Sequence, residues 1–107
     1  MAKLAKPNPA LTPGAYGDKP VPRHVTVGTA HKVYNAYGIG LLRRMFYVID
    51  HLVPLELCGT NDIENLWPQP KKEAHLKDLD ENRLAADVRD GARTLHQAQV
   101  EMLRLWA

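Results

Sequence analysis

Between Tyr47 and Pro70 the chain carries the pattern that most restricts its fold. Tyr47-Val48-Ile49-Asp50-His51 belongs to a run rich in β-branched and aromatic residues that ends in an acid beside a histidine. The loop that follows holds Pro54, Gly59, Asn61 and Asp62, all turn formers, and Asn65-Leu66-Trp67 is short enough to be a returning strand. The expectation is two short strands, the first over Met45–Ile49, around a loop furnished with chemistry. Pro68 and Pro70 are expected to stop further pairing, since proline donates nothing to a ladder.

The flanks supply helices. Thr29 has the chemistry of an N-cap for a helix whose Ala30, Val33, Tyr34 and Tyr37 share one stripe, with His31 and Lys32 outside and Gly38 at its end. Arg23 to Val27 is a short strand or a lead-in. From about Lys72 the pattern is helical again, with Leu76, Leu79, Arg83, Leu84 and Val88 on one face and Glu73, Lys77, Asp80, Glu81 and Asp87 on the other, up to Asp90-Gly91. Thr94-Leu95-His96-Gln97 is a capping box, and Leu95, Ala98, Met102 and Leu105 or Trp106 then recur at helical spacing. Five of the eight prolines fall between Pro7 and Pro22, so this segment is expected to be extended, with a turn at Thr12-Pro13-Gly14. The fold class expected is α+β: a Pro-rich arm over residues 1–22, then a single domain over 23–107 with its core at about 45–90 and a C-terminal helix at about 94–106.

At 107 residues the chain has room for one core. It lacks the run of about 18 apolar residues that a membrane span needs, and a secretory signal is absent from Met1–Ala10. A cytoplasmic location, or export of a processed form, is expected. The lone Cys58 excludes an internal disulfide and a multi-cysteine zinc site. The net charge of +2 hides an asymmetry: residues 1–49 hold seven Lys and Arg against one acid, a balance of +6, and residues 50–107 hold seven against eleven, a balance of −4. A basic front half attracts a phosphate backbone, and an acidic half attracts a cation.

In this order the sequence resembles the HNH endonuclease family of ββα-metal nucleases, in its small bacterial and phage-type form. The residues that carry the resemblance are Tyr47, Asp50-His51, Pro54-Leu55, Leu57, Gly59, Asn61-Asp62, Asn65-Leu66-Trp67-Pro68, Lys77-Asp78 and Glu81, with weaker likeness from Leu11 to Ala15, at Tyr37-Gly38-Ile39 and from Ala98 to Trp106. The resemblance implies a ββα-metal finger with flanking helices that cleaves phosphodiester bonds in DNA. Such cleavage needs a water, a base to deprotonate it and a cation to neutralise the phosphate. It further implies His51 as general base, Asn65 holding the loop and orienting His51, and Asp50 as ligand of a divalent ion, with Mg²⁺ favoured and Mn²⁺, Ni²⁺ or Zn²⁺ as alternatives. Adjacent strand residues point to opposite faces, so Asp50 and His51 can share a site only where the strand ends or bends.

The chain departs from the family at its third motif position, where a helix residue completes the metal site. Counting from Asn65 and Lys77, that place is Ala74, which can bind nothing. Asp78, one turn on, ranks first as substitute ligand and His75, rotated by about 100°, second. Arg23, Lys32, Arg43 and Arg44 are candidates for phosphate contact. Ala74 keeps two other readings open: a nucleic-acid-binding ββα module without catalysis, and a structural or adaptor domain.

Overall fold

The computed structural model describes residues 5–107, and at its centre lies an antiparallel pair, β1 (Tyr47–His51) and β2 (Leu66–Pro70). Within the described residues three α-helices flank it, α1 (Val27–Ala36) before the pair and α2 (Ala74–Arg89) and α3 (Leu95–Trp106) after it, with short 3₁₀ turns between elements. The architecture is α+β. Among the described residues no helix is long and apolar enough to cross a membrane.

Both strands begin later than the residue pattern suggested. Leu41–Phe46 coils as a 3₁₀ turn, so β1 starts at Tyr47 and takes in Asp50 and His51 as its last two residues. Strand β2 runs through both prolines, contrary to the expectation that they would end it. The register explains how. Asp50 faces Trp67 and Val48 faces Gln69, and one step further Leu52 N–H donates to Asn65 O at 2.7 Å, so the hydrogen-bonded pairs fall on even positions of β1. Pro68 and Pro70 face Ile49 and Tyr47, the positions where no N–H is required.

The two faces of the pair are covered differently. Ile49 and Leu66 pack with Val33 of α1, supported by Ala30, Tyr34 and Tyr37, the stripe expected for that helix. Its cap is Thr26 rather than Thr29: Thr26 is extended, and its hydroxyl accepts from Thr29 N–H at 3.1 Å, which places Thr29 in the first turn. On the other side Val53 and Leu57, from the loop, pack with Leu84 of α2 and with Ala98 and Met102 of α3. The Thr94 and Gln97 capping box starts α3 as expected.

The arm is extended but tied down. Its turn lies at Asn8–Thr12, where the Leu11 and Thr12 N–H groups donate to Asn8 O, and so precedes the expected Thr12-Pro13-Gly14. Residues 1–4 of that arm lie outside the described residues. Tyr16 forms a single bridge to Gly59, and Gln99 of α3 donates to both Gly17 O and Leu57 O at 2.9 Å. Residues 23–26 are a lead-in and not a strand.

The loop between the strands is closed by one buried amide. Asn65 Oδ1 accepts from Val53 N–H, and its Nδ2 donates to Val53 O and Thr60 O, all at 2.9 Å. Gly59 is required beside it, because a Cβ there would lie 1.7 Å from Val53 O. Replacing Asn65 by alanine leaves a buried N–H and a buried carbonyl unpaired, and Asn65→Ala is expected to lose about 3 kcal/mol of stability in urea unfolding. An unchanged midpoint would show that the loop holds without it.

Candidate active site at the end of the central strand

His51 is buried at the C-terminal end of β1, and two side chains, Asn61 and Arg23, define its state. Asn61 donates from Nδ2 to Pro22 O at 2.8 Å, which leaves its Oδ1 to accept from His24 N–H and from His51 Nε2, both at 2.9 Å. Nε2 therefore carries the proton. On the other side Arg23 Nη1 lies 3.3 Å from His51 Nδ1, and a guanidinium can only donate, so Nδ1 offers its lone pair. The imidazole is neutral. Burial is the main cause that holds its pKa below the usual histidine value, and the charge of Arg23 adds to it against the Asn61 hydrogen bond and Asp50.

Asp50 turns to the opposite face, toward α2. Its Oδ2 receives Lys77 Nζ at 3.0 Å and Trp67 Nε1 at 3.3 Å. Lys77 is only 1% exposed and also donates to His51 O at 2.8 Å. Glu81, one turn along α2, stands 3.8 Å from the same ammonium. Its carboxyl pKa is pushed up to about 7, chiefly by burial, with Asp50, Asp78 and Glu56 adding to it and Lys77 opposing.

Although they point to opposite faces of β1, Asp50 and His51 border one open pocket of about 290 Å³, because the strand ends there and Pro54 turns the chain back. Arg23, Glu56 and Glu81 complete its polar wall. Asp78 and His75 do not join it. Both are exposed, since α2 is rotated so that Lys77, Glu81 and Leu84 face inward while Leu76 and Leu79 are 49% and 63% exposed. The residue that α2 contributes is Glu81, four positions after Lys77 and so on its face. That spacing was visible in the sequence, but an inward lysine was not expected. Asn65 stabilises the loop, while the ring of His51 is oriented by Asn61 and Arg23.

Of the basic residues singled out, Arg23 alone lines the pocket. Lys32 is exposed on α1 and Arg43 is half-buried in the 3₁₀ turn. Arg44 is committed internally: it donates to Ile39 O, His31 Nδ1 and Asn35 Oδ1 and stacks 4.8 Å from the Tyr34 ring centroid.

Among the described residues no three His, Cys, Asp or Glu side chains are grouped as a metal cage. Of the three carboxyls that border the pocket, Asp50 and Glu81 stand together, 3.0 Å and 3.8 Å from Lys77 Nζ, and are the pair it offers a metal. That donor set suits a hard cation that keeps much of its water and completes its shell with a phosphate, such as Mg²⁺ or Mn²⁺. It does not suit Zn²⁺, which takes three or four protein donors. Compared with profiles of known protein families, with curated proteins and with solved structures, the chain matches none.

Glu81 gives the site a pH signature. A carboxyl whose folded pKa is raised stabilises the fold in its protonated form, fully below its unfolded pKa, and the contribution disappears as pH rises through about 7. Stability in urea is expected to fall by up to about 3 kcal/mol from about pH 4.5 to pH 8, and Glu81→Gln is expected to flatten that decline. A variant that keeps the same slope would place the titrating group elsewhere.

Proposed function

We propose that this chain is a small HNH-type endonuclease, a ββα module that hydrolyses phosphodiester bonds in DNA with His51 as general base. The observation that carries the reading is the neutral, buried His51 whose Nδ1 lone pair faces Arg23 beside a pocket bordered by Asp50 and Glu81. The order β1, loop, β2, α2 and the spacing of Asp50-His51, Asn65 and Glu81 support the same family reading.

Hydrolysis begins with a water that loses its proton to Nδ1 as it attacks phosphorus, while the P–O bond to the leaving nucleotide oxygen breaks opposite it and that oxygen takes a proton from solvent. The proton then resides on an imidazolium whose Nε2–H is already held by Asn61, so the ring need not turn. Asn61 is in turn held by Pro22 and His24, and Asn65 keeps the loop in place. For Nδ1 to accept a proton, the Arg23 guanidinium must give up its hydrogen bond there. A phosphate oxygen is the stronger acceptor for that donor, so Arg23 both binds the anion and frees the base. A divalent cation held by Asp50 and Glu81 would neutralise charge on the phosphate and the leaving oxygen.

Supercoiled plasmid incubated with Mg²⁺ or Mn²⁺ is expected to be nicked and to stay intact in EDTA. His51→Ala is expected to lower the rate by about 10²-fold or more. Glu81→Gln is expected to weaken metal dependence, whereas Asp78→Asn and His75→Ala are expected to cut like the parent. The second reading, a module that binds nucleic acid without cutting it, rests on Ala74 and on the finding that the described residues group no three His, Cys, Asp or Glu side chains for a metal. Intact plasmid under every metal, with salt-sensitive binding retained, would decide for it.

A further inference from the structure

The 3₁₀ turn Leu41–Phe46 exposes four large apolar side chains in six residues: Leu41 is 76% exposed, Leu42 89%, Met45 67% and Phe46 59%. Single exposed apolar residues are ordinary, but a contiguous group of this kind marks a contact surface. Beside it Met45, Phe46 and Pro70 line a shallow cleft of about 280 Å³ together with Lys71 and Lys72. No acid occurs from Gly38 to Ile49 or from Leu66 to Lys72, so the segments that build the patch are basic throughout.

We propose that this turn is a wedge for double-stranded DNA, in which the apolar side chains press between base pairs while Lys71 and Lys72 hold the flanking phosphates. The inference rests on the nuclease reading for the identity of the partner. Leu, Met and Phe are the side-chain types that unstack base steps, and the lysines supply the charge complementarity that an anionic duplex requires. Continuity with the pocket decides for DNA over other anionic surfaces. Phe46 leads directly into β1, and His51 closes that strand five residues later. At about 3.3 Å per strand residue the wedge stands about 16 Å from the base, the length of about five base pairs. A duplex that engages both would carry its distorted step offset from the cut by about that distance.

The test uses the full chain and a duplex of about 25 base pairs carrying 2-aminopurine at successive positions, in EDTA so that binding is read without cleavage. Wild type is expected to brighten the probe at one step. The double variant Leu42→Ser with Phe46→Ser, both exposed and so compatible with an unchanged urea midpoint, is expected to bind about tenfold more weakly without brightening. Lys71→Ala with Lys72→Ala is expected to reduce the slope of log affinity against log salt by about 2 while the brightening persists at low salt. Equal binding and brightening by wild type and the apolar variant would overturn the proposal. It would also be overturned if the apolar variant instead lost binding to phosphatidylserine vesicles, or lost self-association in sedimentation, with DNA binding unchanged. Failure of the nuclease reading has a separate outcome: plasmid left intact under Mg²⁺ and Mn²⁺ while the wedge signature is present.

Discussion

A buried ammonium fixes how the second half of the chain sits on the first. Lys77 is almost fully removed from water, and an ammonium in that position is tolerated only with partners that replace its hydration. Those partners are His51 O and Asp50 Oδ2 at the end of β1, with Glu81 on the next turn of α2. The requirement sets the rotation of α2, and other features follow from it. Leu76 and Leu79 are turned outward, Leu84 is turned into the core, and Glu81 is brought to the pocket in place of Asp78. Helix α3 is then locked to α2 by packing and by the Trp106 Nε1 donation to Asp80 at 2.9 Å.

The arm completes the site from the opposite side. Proline donates no N–H and its ring keeps the chain extended, so the carbonyl of Pro22 remains available to accept from Asn61. That acceptor settles which end of the Asn61 amide faces His51, and with it which imidazole nitrogen bears the proton. The next residue, Arg23, donates from Nη2 to Ile49 O at 3.1 Å and so is held against β1 as well as against the ring. Two consecutive residues, the last of the arm and the first of the lead-in, thus determine the two ring nitrogens of one histidine, although they stand 29 and 28 positions before it.

Several features that depend on neighbours in sequence were legible from sequence, although the cap of α1 and the turn of the arm were placed a few residues too late. The stripe of α1, the capping box of α3 and the order of strand, loop, strand and helix all follow from local periodicity and turn chemistry. Features that depend on a partner were not. Pro68 and Pro70 fit inside β2 only because β1 meets them at positions that require no donor, and that register is invisible in β2 alone. The face of α2 was assigned by its leucines, yet the helix buries a lysine because Asp50 and a strand-end carbonyl await it. Arg23 was chosen for its charge, and Asn61 as a loop residue. Their convergence on His51 comes from long-range hydrogen bonds that no local pattern encodes.

The electrostatics of the pocket bear on how it could receive an anion. Asp50, Glu56 and Glu81 border it, and three ionised carboxyls would repel a phosphodiester. Two features lower that barrier without any bound ion. Lys77 balances Asp50 from inside, and Glu81, with its pKa raised to about 7, is substantially protonated near neutrality. Arg23 is then the outward-facing cation of the pocket wall, and its attraction for phosphate is opposed by less negative charge than a count of acids suggests. Were Glu81 to hold a cation as proposed, binding and protonation would compete there, because a carboxyl must be ionised to act as a ligand. Under the proposed nuclease function, burial and Lys77 would thus set the pH at which the pocket changes from one that tolerates a phosphate alone to one that takes a phosphate together with a divalent ion.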